Sequence, residues 1–114
     1  MAERRRVAPE EPAELRRLRR RIDALDRRII RLLNERAALA LSADAHKAAA
    51  GRLTVRDTAR ERDVLDRVAA EADGGPLPPA ELVGFYRRLI AAIRRLQEES
   101  RRLEAAARRG YHRD

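Results

Sequence analysis

Residues Leu18–Lys47 read LRRRIDALDRRIIRLLNERAALALSADAHK. Within this stretch Leu18, Ile22, Leu25, Ile29, Leu32, Arg36, Ala40, Ala43 and Lys47 follow one another at steps of four and three. Residues so spaced share a helical face, so all nine lie on one seam of a single long helix. Seven are ordinary core residues, and the other two, Arg36 and Lys47, are cations. A cation on a buried seam is costly unless an anion meets it, and no neighbouring stretch supplies a carboxylate on the same stripe. The two cations are 11 residues apart, which is about 16 Å along the axis and about 20° around it. Two long side chains so placed can lean together over one small anionic ligand.

The helix extends in both directions from this seam. Pro12 suits a first helical turn, and nothing interrupts the pattern before Gly51, a good terminator. About 39 residues then span roughly 58 Å at 1.5 Å per residue. A compact domain of this length has a radius of gyration near 14 Å. Such a helix projects from its own globule and needs a second chain to cover its seam, so an intertwined homodimer is expected. A short loop, Gly51 to Arg56, precedes a second helix from about Asp57 to Ala72, with Asp57 or Thr58 as its N-cap and Val64, Leu65 and Val68 inward. The run Asp73–Pro79 is a clear break. A third helix starts near Pro79 and carries an apolar stripe of Leu82, Tyr86, Leu89, Ile93 and Leu96, with Ile90 and Gln97 beside it. The expected organisation is therefore all-α with three helices per chain. Residues 1–11 are read as a disordered charged arm, 12–107 as the helical domain and 108–114 as a frayed tail.

Composition narrows the chemistry. A chain of 114 residues accommodates one small domain. Without cysteine there is no disulfide framework and no thiolate metal site. His46 and His112 are too few and too far apart for a typical zinc site, so neither metal nor cofactor is expected. No apolar run reaches membrane-spanning length, and the N-terminus has no signal-peptide core, which points to a soluble, cytoplasmic protein. The net charge of +8 and the arginine runs at Arg4–Arg6, Arg16–Arg21 and Arg27–Arg28 raise nucleic acid as a partner. No stacking aromatics interleave with those runs, and solvated helix faces account for them, so no nucleic-acid partner is expected. Of 27 basic residues, 26 are arginine and the single lysine is Lys47. An ammonium is a compact donor where a guanidinium is a wide fork, so a lysine on the seam hints at a small acceptor.

Other polar residues fall on apolar faces. Glu61 lies three before Val64 on the inward face of the second helix, where a capping box Thr58-x-x-Glu61 competes as its explanation. Gln97 sits one turn after Ile93, where a register-setting or surface role competes. Arg19 is 17 residues before Arg36, roughly 25 Å away on the same helix, so it can join the same ligand only from an antiparallel partner helix. Three cations, one carboxylate and one neutral amide suit a small dianion with a hydroxyl group. With no cysteine nucleophile, no seam histidine and no paired carboxylates, such a site positions a substrate and stabilises developing charge rather than performing acid–base or covalent chemistry.

Taken in order, Leu18-Arg19-x-x-Ile22-Asp23-x-Leu25-Asp26, Leu32-Leu33-Asn34-Glu35-Arg36, Lys47, Val55-Arg56-Asp57-x-x-Arg60-Glu61-Arg62 and Tyr86-x-x-Leu89-Ile90 leading to Gln97 resemble the all-helical (AroQ-type) chorismate mutases over about Leu15 to Gln97. The resemblance implies a three-helix protomer, an intertwined dimer with two sites, and the rearrangement of chorismate to prephenate. It implies that Arg36 and the partner subunit's Arg19 hold the two carboxylates and that Lys47 and Gln97 donate to the ether oxygen. By the same resemblance, Glu61 accepts from the ring hydroxyl near Asp57, and Arg60 completes the basic wall. Because Gln97 is neutral and donates without taking a proton from solvent, little pH dependence is expected across neutrality.

Three positions depart from the family's pattern. Ile93 stands at a substrate-facing position where the family usually has serine, Asp44-Ala45-His46 replaces a glycine and a basic residue, and the segment from Lys47 to Asp57 is one residue longer. Two related reactions stay open beside the mutase: a mutase acting on 4-amino-4-deoxychorismate, and an isochorismate pyruvate lyase, ranked lower because Arg60-Glu61 resembles the mutases. A non-enzymatic basic helical dimer ranks last. No dehydratase, dehydrogenase or effector domain accompanies the pattern, so feedback control within this chain is not expected.

Overall fold

A computed structural model describes residues 10–111. Three helices make up the fold: α1 (Ala13–Ala49), α2 (Thr58–Ala72) and α3 (Pro79–Tyr111), with no strand among the described residues. The expected arm falls almost wholly, and the last three residues of the expected tail wholly, outside the described residues. Helix α3 continues four residues past Ala107.

The helix ends follow local chemistry. The carbonyl of Pro12 accepts from the amide of Arg16 at 3.1 Å, opening the α1 ladder. At the far end Gly51 adopts φ 89°, a left-handed conformation that costs glycine nothing. Its amide donates to Ala48 O, and the next amide, Arg52 N, donates to Lys47 O, both at 3.0 Å. This pair of bonds is the Schellman closure, and it satisfies carbonyls that a helix C-terminus otherwise leaves bare. Asp57, not Thr58, caps α2. Its backbone is extended (φ −129°, ψ 90°) and its Oδ1 accepts from Arg60 N at 3.0 Å. Pro79 opens α3, where a missing amide hydrogen is harmless, and Pro78 O accepts from Glu81 N and Leu82 N at 3.0 and 3.3 Å.

The chain divides into two compact units, Met1–Arg36 and Ala37–Asp114. In the first, the seam residues Leu18, Ile22, Leu25, Ile29 and Leu32 remain 44–55% exposed. Its ion pairs Arg17–Glu14 and Arg19–Glu11 lie at the surface, where such pairs contribute about 0–1 kcal/mol each. In the second, α2 packs against α3. Val64, Ala72 and Ile93 form its buried apolar core, and Asp44 is buried with them. So small a core in a chain with this many exposed leucines and isoleucines leaves much apolar surface uncovered.

Candidate active site

Within the second unit, the last turns of α1 meet α3 through long polar side chains. Gln97 Nε2 donates to Ala40 O at 2.9 Å. One turn further along both helices, Arg101 grips Asp44 with two parallel bonds, Nε to Oδ2 at 2.8 Å and Nη2 to Oδ1 at 2.9 Å. Position 40 pairs with 97 and 44 with 101, so the two helices run in the same direction here. Ala40 belongs to the α1 seam, two turns before Lys47, which puts the Gln97 amide about 10 Å along the axis from the Lys47 backbone.

Lys47 is half-buried, and its Nζ donates to Val55 O at 2.9 Å. An ammonium has three donors, so one bond to a fixed carbonyl orients the group and leaves two for a ligand. Glu61 is half-buried at the start of α2. With Asp57 as the cap, position N3 is Arg60, so Glu61 lies one residue too far along for a capping box. Its carboxylate turns elsewhere: Oε2 accepts from Arg94 Nη1 at 2.8 Å and Oε1 from Arg56 Nη2 at 3.3 Å. The structure thus removes the capping explanation and places Glu61 between two guanidinium groups.

The remaining expected residues are distributed as follows. Asp57 is half-buried and serves as the α2 cap, Arg60 is exposed, and Ile93 is among the best buried apolar residues, 5% exposed. In the first unit Arg36 is half-buried. Arg19 is exposed, with its Nε 3.0 Å from Glu11 Oε2 of its own chain. Among the described residues no group of histidine, cysteine, aspartate and glutamate side chains is arranged to hold a metal ion, and no helix is long and apolar enough to cross a membrane.

Sequence reasoning did not single out Arg94, Arg101 or the pairing of Asp44. A signal was there: Ile90, Arg94, Gln97 and Arg101 follow one another at steps of four, three and four, which defines a face of α3 beside its apolar stripe.

A family profile described as Chorismate mutase type II matches residues 18–98. The chain belongs to the chorismate mutase type II family. It is also 38% identical over 89 residues to the bifunctional chorismate mutase/prephenate dehydratase of Aquifex aeolicus (strain VF5), a stretch that covers 75% of this chain and 24% of the relative. The chain therefore spans about a quarter of the length of that curated protein. The chorismate mutase type II match contains every expected site residue from Arg19 to Gln97 and stops three residues before Arg101.

Proposed function

We propose that the protein converts chorismate to prephenate, a unimolecular Claisen-type rearrangement that requires no cofactor, and that it works as an intertwined homodimer. The observation that carries the reading is the placement of Lys47 and Gln97, one cation and one neutral amide on facing helices, each anchored to a main-chain carbonyl, in a chain of the chorismate mutase type II family.

Arg36 and Arg19 of the partner subunit clamp the two carboxylates of the substrate and select the compact conformer in which the reacting carbons meet. Preorganisation of this kind can supply several kcal/mol of a barrier. As the ether bond breaks, its oxygen gains negative charge. Lys47 and Gln97 aim donors at that oxygen and so bind the transition state more tightly than the ground state. Glu61 accepts from the ring hydroxyl, with Asp57 and Arg60 beside it. The surface pair Arg19–Glu11 is weak enough for Arg19 to exchange Glu11 for a substrate carboxylate.

The surroundings of Glu61 favour chorismate over its amino analogue. The analogue would bring an ammonium to a carboxylate already flanked by the guanidinium groups of Arg94 and Arg56, and like charges at that range repel. A hydroxyl meets no such penalty.

The test is the ultraviolet loss of chorismate on addition of purified protein, with the product separated and identified. Prephenate is the expected product. No turnover of chorismate by a folded dimer, or turnover only of the amino or iso analogue, removes the reading.

A further inference from the structure

The geometry points to Arg101 as a positioning residue for Lys47, acting through the loop that joins α1 to α2. The inference rests on the mutase reading above, because Lys47 is the group being positioned.

Arg101 uses both edges of its guanidinium. One edge is fixed by Asp44 through the two parallel bonds already described. Asp44 is only 3% exposed and lies on α1 three residues before Lys47. The other edge turns to the loop, where Nη1 donates to Arg52 O at 2.7 Å and to Leu53 O at 3.1 Å. Two residues later, Val55 O receives the Lys47 ammonium. Arg52 is also held by its own amide, which donates to Lys47 O in the closure of α1. Four main-chain groups between Arg52 and Val55 are thus fixed, and two of them depend on Arg101.

Packing gives this loop little help. Arg52, Leu53 and Thr54 are all exposed, Leu53 at 92%. Hydrogen bonding therefore sets the loop's conformation, and with it the direction in which Val55 O holds the ammonium. Asp44 makes Arg101 a reliable anchor. Its hydrogen bonds raise the guanidinium's pKa above the ordinary arginine value, burial opposes this and the carboxylate's charge adds to it. A bidentate pair of this type also fixes the plane of the fork. A buried aspartate on α1 and an arginine beyond the end of the family match form one device, and neither residue explains itself alone. A buried carboxylate needs a partner, and a guanidinium with an edge to spare can hold a loop.

Arg101→Lys keeps a charge for Asp44 but has no fork to span both Asp44 and the loop. Asp44→Ala combined with Arg101→Met removes the buried charge together with its partner and so avoids leaving either unpaired. Two measurements apply to each variant and the native protein: steady-state turnover of chorismate, and amide hydrogen exchange over residues 51–57 followed by mass spectrometry. Faster exchange is expected in both variants, with kcat lowered about 10- to 100-fold and KM within about 3-fold, since a donor that acts on developing charge is felt mainly in kcat. A double variant with native thermal stability, native exchange and native kcat overturns the inference. So does faster exchange with kcat unchanged, which leaves Arg101 a loop tie without a role in the reaction. If the native protein itself does not turn chorismate over, the mutase reading fails and the positioning role falls with it. The exchange measurement, which needs no substrate, separates that failure from a loop that never depended on Arg101.

Discussion

Glu61 Oε2 accepts from Arg94 Nη1 at 2.8 Å, with both side chains more than three-quarters buried. The pair links α2 to α3 across 33 positions of sequence, and it sets the electrostatic character of the point where a substrate's ring substituent is proposed to rest. A carboxylate alone would accept a hydroxyl or an ammonium equally well in kind. A carboxylate already neutralised by Arg94, with Arg56 on its other oxygen, accepts a hydroxyl and resists a further cation.

With the ring substituent proposed to rest at Glu61, Arg94 is expected to contribute to substrate discrimination. Replacing Arg94 by Gln removes one of the two guanidinium charges beside Glu61, which after solvent screening corresponds to about 1–2 kcal/mol, or roughly 10-fold in relative specificity. The ratio of kcat/KM for chorismate to that for 4-amino-4-deoxychorismate is expected to fall by that factor in Arg94→Gln. An unchanged ratio would mean that Arg94 serves only to join the helices.

Gln97 ties α3 to the α1 seam through Ala40 O. The substitution Gln97→Ala removes a proposed donor to the ether oxygen and should lower kcat/KM by about 10²-fold or more, about 3 kcal/mol, by analogy with other preorganised donors. The neighbouring Arg101–Asp44 bonds keep the two helices together, so the circular dichroism spectrum should stay native. A loss of helix in Gln97→Ala would make the residue structural.

Much of the fold was readable because its signals are local. The 3–4 spacing of the α1 seam, Gly51 as terminator and the Asp73–Pro79 break each depend on a few adjacent residues, and the structure places helix ends at these points. The cap on α2 was readable only as a choice between Asp57 and Thr58, since both offer a side-chain oxygen. The pairings Arg94–Glu61 and Arg101–Asp44 were not readable. In a chain with 26 arginines, any buried carboxylate has many possible partners, and three-dimensional register decides among them. Asp44 illustrates the limit: it stood out as part of the departure at Asp44-Ala45-His46, but its meaning depended on a residue 57 positions away.

Ile93 is expected to face the substrate, and Ile93→Ser, which restores the family's usual residue, should lower KM for chorismate; an unchanged or higher KM counts against that role. Its burial in a core this small adds a second consequence. Removal of a buried branched side chain typically costs about 2–5 kcal/mol when nothing refills the space. Ile93→Ser should therefore unfold at clearly lower denaturant concentration than the native protein, while Ile93→Val loses about 0.5–1.5 kcal/mol. Chemical denaturation of the three proteins at one concentration checks this, and equal midpoints would show that the site tolerates a polar group.

The cap on α2 yields a cleaner stability test. Asp57 Oδ1 accepts from Arg60 N, a bond that asparagine can reproduce and alanine cannot. Asp57→Ala should lose about 1 kcal/mol of stability, and Asp57→Asn should recover most of it. If Asp57 also contributes its charge beside the substrate, Asp57→Asn will be stable yet weaker in kcat/KM. Equal activity in Asp57→Asn and the native protein would confine the residue to capping.

The exposed seam of Leu18, Ile22, Leu25, Ile29 and Leu32 is the surface proposed to meet a second copy, and Arg19 lies beside it on the same helix. Two measurements probe this arrangement. Leu25→Glu places a charge in the middle of the seam, where an unpaired buried charge is strongly unfavourable, and should shift sedimentation from dimer to monomer with loss of activity. The second probes which chain supplies Arg19. Arg19→Ala and Lys47→Ala should each be inactive alone. If each site takes Lys47 from one chain and Arg19 from the other, mixing the two variants rebuilds one complete site in each heterodimer. Random exchange makes half of the dimers heterodimers, so about a quarter of native activity should return, as isologous two-fold pairing requires. Confirmed subunit exchange with no recovery would place Arg19 and Lys47 of one chain in the same site, or Arg19 in none.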